Sequence, residues 1–320
     1  MKTDFDWSDL AFASKKPLRE LNAIFIAAPR EISVKRFTQL VKEYLPQGAI
    51  ILGIAKESYV EGFEQQPQFR MLDQKTVQPV LDKVAVSSSS RRIYTLRYFQ
   101  RELPFIIEKL QPKKMVFVNG SWKFSFHTQP TYYTLVNSGV PYEKVSPFAD
   151  DTEAEQTAKR LTDEIISSYT IGQVTNANGM LKVADAAARR SFDHTYQTGA
   201  ALGKKQKNGY ALLATSCNKV VPYQTYAWHI GPSREVHFSP PNDLNYYDAV
   251  HAEVEMIIEA GRQNIGLDGT SLFINLLPCP TCARMLAETN IPEIIYREDH
   301  SSGYAVKMLE LAGKTVRRIV

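Results

Sequence analysis

Two α/β domains are predicted from the way apolar runs are spaced along the 320 residues. In the first half, apolar runs of strand length alternate with stretches of helical periodicity, the pattern of a parallel, Rossmann-like sheet. Around Ser146-Pro147-Phe148-Ala149-Asp150-Asp151 the composition shifts toward proline and acid. Beyond it lies a second series of helices and strands, whose first element begins near Met180. The boundary is therefore placed at residue 170, with a Rossmann-like α/β domain of unassigned role over 1–170, nucleotide-binding or regulatory, and a second α/β domain over 171–320.

Each element has its own reason. Residues 23–28 form a short buried strand, and residues 33–45 an amphipathic helix with Ser33 as its N-cap. Residues 49–55 are a second buried strand. Residues 94–110 read as a helix kinked or split at Pro104, and residues 115–120 as a third strand. Ligands of such sheets sit at the carboxyl ends of the strands. Pro29-Arg30, Lys56-Glu57-Ser58 and Asn119-Gly120-Ser121-Trp122-Lys123 fall there, either to bind a nucleotide or phosphate or as capped loops. Neither GxGxxG nor GxxxxGK[ST] occurs, so no dinucleotide fingerprint or P-loop is supported. The serine run 87–90 with Arg91-Arg92 reads as an exposed loop. A helix over 152–168 links the halves, followed by a polar loop over 169–179. Then come a helix, strands at 199–204 and 210–216, a long loop, a helix over 249–260, a strand at 271–276, a helix over 282–288, a strand at 293–297, a helix over 304–312 and a strand at 315–319. The long loop, 219–248, carries Tyr223, Tyr226, Trp228, His229, Arg234, His237, Tyr246 and Tyr247. Its aromatics suit either a pocket wall or lid, or an oligomer interface.

Composition narrows the class. An apolar fraction of 44% and a charged fraction of 22% are those of a soluble globular protein. The net charge of +4 is mild and favours neither a nucleotide nor a nucleic acid. No apolar run is long enough to span a membrane. The polar, acidic start, Met1-Lys2-Thr3-Asp4-Phe5-Asp6-Trp7, does not read as a signal peptide. The three cysteines, two of them wanted as thiolates, point to the reducing cytoplasm.

The chemistry concentrates between His251-Ala252-Glu253 and Pro278-Cys279-Pro280-Thr281-Cys282. His251, Cys279 and Cys282 are three zinc ligands at recognisable spacing. Structural zinc sites are closed by four protein ligands, whereas a three-ligand site keeps a position open for water. Cys279 and Cys282 share a face in a first helical turn. Pro280 is tolerated there, and the helix N-terminus favours thiolates. Residues two apart do not share a helical face, so His251 and Glu253 face one pocket only at an irregular helix start. Glu253 then shuttles protons rather than binding metal.

The H-x-E…P-C-x-x-C pattern resembles the zinc-dependent cytidine and deoxycytidylate deaminase family, and the resemblance runs over about residues 178–320. Leu272-Phe273-Ile274-Asn275-Leu276-Leu277-Pro278-Cys279-Pro280-Thr281-Cys282-Ala283-Arg284 resembles the segment of deoxycytidylate (dCMP) deaminases that leads into their zinc cysteines. Ala187 to Asp193 with Thr195, Gln197, Gly199 and Ala200, Ala214 to Asn218, and Ile294 to Arg297 with Leu309 to Gly313 resemble other parts of the same branch. The resemblance implies a cytidine-deaminase-like α/β/α sandwich, a Zn2+ cofactor and Glu253 as general acid and base. It implies that Asn218 hydrogen-bonds the sugar, or else only ends a strand, and that the backbone of Ala252 meets the base. It places Arg190 and Asp193 near the sugar-phosphate, where both could equally be helix-end surface residues. Glu255 and Cys217 depart from the family's frequent Asn and Tyr. No spare Cys/His set for a second metal is evident.

The resulting expectation is hydrolysis of dCMP to dUMP and ammonia by a homo-oligomeric enzyme. The alternatives are a deaminase acting on a base in RNA or single-stranded DNA, and a nucleotide sensor with a secondary deaminase site.

Overall fold

The computed structural model describes residues 21–87, 91–165, 168–240, 243 and 245–320. The polar start at 1–7 and most of the serine run, 88–90, lie outside the described residues. Two compact units are present, Met1–Leu161 with Thr225–Tyr247, and Thr162–Gln224 with Asp248–Val320. The division thus falls near residue 161, inside a helix, and the middle of the long loop groups with the first unit.

In the first unit, β1 (Ile24–Ala27), β2 (Ile50–Ala55), β3 (Ile93–Tyr98), β4 (Lys114–Val118) and β5 (Tyr142–Val145) form one sheet in the order β3-β2-β1-β4-β5. All its pairings are parallel. Every residue of β1 and β2 is buried, as a sheet covered on both faces requires. Helix α1 (Val34–Tyr44) starts where Ser33 accepts a hydrogen bond from the Arg36 N–H, and it buries Phe37, Leu40, Val41 and Tyr44. That three-four spacing is the one its sequence shows.

One helix is corrected. Residues 94–110 are not a split helix: 93–98 is β3, and α3 (Leu103–Leu110) begins afterwards with Pro104 in its first turn. Proline is favourable there, so it opens the helix instead of kinking it. Ile93-Tyr94-Thr95 is rich in strand formers, and β3 pairs with the whole of β2. The sequence reading also omitted α2 (Gln74–Ala85), which carries Pro79 inside it. It omitted α4 (Pro130–Ser138) and β5, an edge strand whose residues are all half-buried.

The loop segment in this unit is firmly packed. It contains two short helices, α6 (Tyr226–Ile230) and α7 (Ser233–Val236), which follow α5 (Asp151–Glu164) in chain order within the unit. Thr225 Oγ1 donates to the Ala154 carbonyl of α5. Trp228 is fully buried, with the Arg30 guanidinium 3.6 Å from its ring centroid and Phe69 edge-on to it. Neither the pocket-wall nor the subunit-interface reading of Trp228 describes these surroundings. Glu235 is buried as well: Oε1 accepts from Trp122 Nε1 and the Phe126 N–H, and Oε2 from Lys144 Nζ.

The second unit is built on a mixed sheet of β6 (Val174–Thr175), β7 (Gly199–Gln206), β8 (Gly209–Cys217), β11 (Thr270–Leu276), β12 (Glu293–Glu298) and β13 (Thr315–Arg318). Its order is β13-β12-β11-β7-β8-β6. The last three strands in sequence are mutually parallel, and β7 is antiparallel to both its neighbours. Side chains alternate across it. Ala201, Phe273 and Ile295 pack against Met180, Leu181 and Ala184 of α8 (Ala177–Ala188) on one face. Leu202, Leu272, Ile274 and Ile294 pack on the other face. There they meet α9 (Ala252–Arg262), α10 (Pro280–Ala287) and α11 (Tyr304–Leu311) through Met256, Leu286 and Leu309. Gly199 permits the first contact, because a Cβ there would lie 2.1 Å from the Ala184 carbonyl oxygen of α8. Among the described residues, no helix is long and apolar enough to cross a membrane.

Removing the Glu235 carboxylate should destabilise the first unit. It strands a lysine, an indole N–H and a backbone N–H, so Glu235→Ala is expected to cost about 3 kcal/mol. Urea denaturation followed by Trp fluorescence reads the change.

Candidate metal centre

Two helix starts meet in the second unit. His251 is the N-cap of α9, with φ −66° and ψ 152°, and Cys279 is the N-cap of α10, with φ −64° and ψ 163°. Both are extended, so their side chains leave the helix axis. That is the irregular start that a shared pocket for His251 and Glu253 demands. The backbone before His251 is held by a short ladder, β9 (Lys219–Val220) against β10 (Ala249–Val250), extended by Val221 N–H to the Asp248 carbonyl. Just after it, Ser216 Oγ donates to the Ala252 carbonyl at 2.7 Å. On the other side, β11 delivers the chain to Cys279, and Pro280 opens α10.

His251 Nδ1 lies 3.5 Å from Cys279 Sγ and 3.3 Å from Cys282 Sγ. The three possible ligand atoms lie within 4.8 Å of one another, and Glu253 is not in the cluster. A tetrahedral zinc with bonds of about 2.3 Å to sulfur and 2.0 Å to nitrogen has S···N edges of about 3.5 Å. The donor set and its spacing fit zinc. The Cys279 thiol is drawn down to about 3, first by its hydrogen bond with Cys282 and then by that with His251, while burial opposes the shift. Cys282, its partner in that bond, is pushed far up, by the same bond first and by burial next. Its backbone N–H points at Cys279 Sγ at 3.5 Å.

Glu253 is in the first turn of α9 and only 3% exposed. Burial pushes its carboxyl up to about 7, and the group interacts with both His251 and the Cys282 side chain. A carboxyl so placed is chemically able to take up and release a proton near neutral pH.

The other expected contacts are placed as follows. Ala252 is fully buried, with its carbonyl engaged by Ser216. Asn218 Oδ1 accepts from the Thr198 N–H, and its amide hydrogens go to Asp193 Oδ2 and the Tyr196 carbonyl. Asp193 also accepts from the Thr195 N–H, and burial raises its carboxyl. Its charge is felt at His251. Arg190 turns to Tyr169, donating to its hydroxyl at 2.5 Å. Glu255 pairs with Lys219 and Arg262 along α9. Cys217 is buried, and burial raises its thiol.

Two supporting residues escaped the sequence reading. Besides Ser216, Asn275 of β11 accepts from the Gly199 N–H and donates to the Gln197 carbonyl, tying the 193–198 loop to the sheet. No local pattern marks either, since each acts on a segment 36 or more residues away.

Comparison with known proteins covers the stretch that holds this site. Residues 175–298 match the family described as the cytidine and deoxycytidylate deaminase zinc-binding region. A probable deoxycytidylate deaminase of Drosophila melanogaster is 29% identical over 117 residues, 35% of this chain and 54% of that protein. The deoxycytidylate deaminase of Saccharomyces cerevisiae is 28% identical over 139 residues, 43% of each chain. The chain thus spans about half the length of these curated relatives. Among solved structures, the dCMP deaminase of cyanophage S-TIM5 aligns with 45% of this chain and 96% of its own, at 20% identity and a TM-score of 0.33. Over residues 175–298 the chain matches the zinc-binding region of cytidine and deoxycytidylate deaminases, and the His/Cys/Cys group inside that stretch supports Zn2+ as its metal.

Two measurements check the site. Cys282→Ala should lower zinc affinity by more than the roughly 10–100-fold lost with an outer-shell partner, read as metal content after dialysis against a chelator. Asn218→Ala should cost about 1–3 kcal/mol of stability through the buried groups it leaves unpaired, read by chemical denaturation without substrate.

Proposed function

We propose that the chain is a zinc-dependent hydrolase that converts dCMP to dUMP and ammonia. The observation that carries this reading is a buried carboxyl, Glu253, beside a His/Cys/Cys group and outside its ligand set. Named deoxycytidylate deaminases among the relatives support the substrate. His251, Cys279 and Cys282 hold the metal. Bound zinc supplies a Lewis acid that brings the pKa of water to about 7.

The remaining chemistry falls to the chain's own groups. As water adds to C4 of the cytosine, Glu253 takes one of its protons and places it on N3. It then carries the second to the amino nitrogen, the C4–N bond breaks, and ammonia leaves with C4 as a carbonyl. Burial at about 7 suits both halves of that task, since the carboxyl gives and takes its proton near neutrality. The backbone at Ala252 meets the base, and the remaining acceptor capacity of Asn218 Oδ1 faces the sugar. Asp193 and Arg190 act as positioning residues, because their polar atoms are engaged by the loop that carries them and by Tyr169.

Glu253→Gln should keep its zinc and lose at least about 10²–10⁴-fold in turnover. Wild-type activity in that variant would remove the mechanism. Zinc-loaded protein given cytidine, CMP, dCMP, dCTP and a cytosine oligonucleotide should yield product from dCMP. Deamination of the oligonucleotide alone would overturn the free-nucleotide substrate.

A further inference from the structure

The first unit has a cavity of its own. It measures about 560 Å³, inside the range of about 300–1,000 Å³ for small-molecule sites. Ala27 and Ala28 at the end of β1, Tyr98 at the end of β3, Phe117 of β4 and Ser121 beyond it all line the space. In the order β3-β2-β1-β4-β5, β1 and β4 are neighbours from which the chain departs in opposite directions. Ligands of open α/β sheets bind in the crevice at that switch point, outside the carboxyl ends of the strands.

The lining is chemically divided. Trp122 and the exposed Phe124 offer an aromatic wall, backed by the buried rings of Tyr98, Phe117 and Phe126. It is rigid, because Phe117 and Trp122 meet edge to face and Glu235 holds the indole N–H at 2.8 Å. Arg101 and Lys123 supply cations, against the single acid Glu61. Among the described residues neither cation forms an ion pair. Lys123 Nζ instead lies 5.4 Å from the Phe63 ring and 5.2 Å from that of Phe124, and the Arg101 guanidinium 5.0 Å from that of Phe99. Gly62, at φ +85°, lets the Lys123 stem lie close, since a Cβ there would sit 2.9 Å from Lys123 Cδ.

A further positive charge stands beside this wall. Arg30 is 2% exposed, and its backbone N–H donates to Ser121 Oγ. Its Nη2 donates to the Gln68 carbonyl, while Nε and Nη1 have no hydrogen-bond partner among the described residues. Burial lowers its pKa to about 9, which leaves it charged at neutral pH.

We infer that this switch-point cavity is a second nucleotide site, separate from the metal centre, which takes a nucleoside phosphate with its base on the aromatic wall and its phosphates on Lys123 and Arg101. Aromatic rings stack on any base, so the site accepts purines as well as pyrimidines. The phosphate is gripped by side chains, which is consistent with a sequence lacking any glycine-rich phosphate loop.

The test is calorimetric titration of full-length, zinc-loaded protein with ATP, dTTP and inorganic triphosphate. ATP carries a purine and so probes this cavity rather than the deaminase pocket, while dTTP, whose thymine resembles the uracil of the product, is assigned to this cavity only by its loss in the Arg101→Glu/Lys123→Glu variant. Expected is saturable binding of at least one nucleotide at one site per chain, tighter than inorganic triphosphate. Arg101→Glu/Lys123→Glu should weaken it at least about tenfold, the effect of losing one charge-assisted hydrogen bond. The same variant should keep wild-type zinc content and basal dCMP turnover. Lys123→Ala alone, a milder change, should weaken binding in the same direction. No heat with either nucleotide, or binding that both variants leave unchanged, would overturn the site. Triphosphate binding as tightly as ATP would remove the base-stacking wall from the proposal. The readout is binding, so a failure of dCMP turnover does not touch it.

Discussion

Two residues held in extended backbone as the N-caps of their helices organise the second unit. His251 and Cys279 both have ψ near 150–165°, so each projects its side chain across the helix end rather than along its own helix. At the start of the second helix the Cys282 N–H points at Cys279 Sγ, where the helix dipole favours thiolate over thiol. Glu253 follows from the same geometry. One residue into regular helix, its carboxyl can approach the group without joining it. A helical conformation at residue 251 would send the two side chains to different faces.

Such helix starts are not stable by themselves, and the sheet supplies what holds them. The β9–β10 ladder fixes the chain up to Val250, and Ser216 clamps the carbonyl of Ala252. Asn218 and Asp193 tie the neighbouring loop to the end of β8. These polar contacts are buried, so each is costly to leave half made. Asn218 and Asp193, which the family resemblance associates with substrate, thus shape the loop beside the metal group through their own hydrogen bonds.

The long stretch between β9 and β10 has a different task from the one its aromatics suggest. It leaves the second unit at Gln224, packs Trp228 and Glu235 into the first, and returns at Asp248. Trp228 stacks on Arg30, and Glu235 orders Trp122. Sequence position next to the metal histidine thus says nothing about where those side chains go.

The chain's own sequence determined the local matters. Strand-length apolar runs announced β1, β2 and β4, because strands buried on both faces have no polar side to interrupt them. Ser33 announced the start of α1, because a cap is a contact across three residues. His251, Cys279 and Cys282 were legible as a ligand group because metal chemistry restricts residue type and spacing together, and the fold brings their ligand atoms within 4.8 Å of one another. The tertiary structure decided what depends on distant partners. It made 93–98 a strand by pairing it with β2, and let α2 persist around Pro79 by packing it in the sheet's cover. It gave Ser216 and Asn275 their roles through hydrogen bonds to segments far away in sequence. It also gathered Tyr98, Trp122, Arg101 and Lys123 around one cavity, from loops that only a folded parallel sheet brings to the same edge.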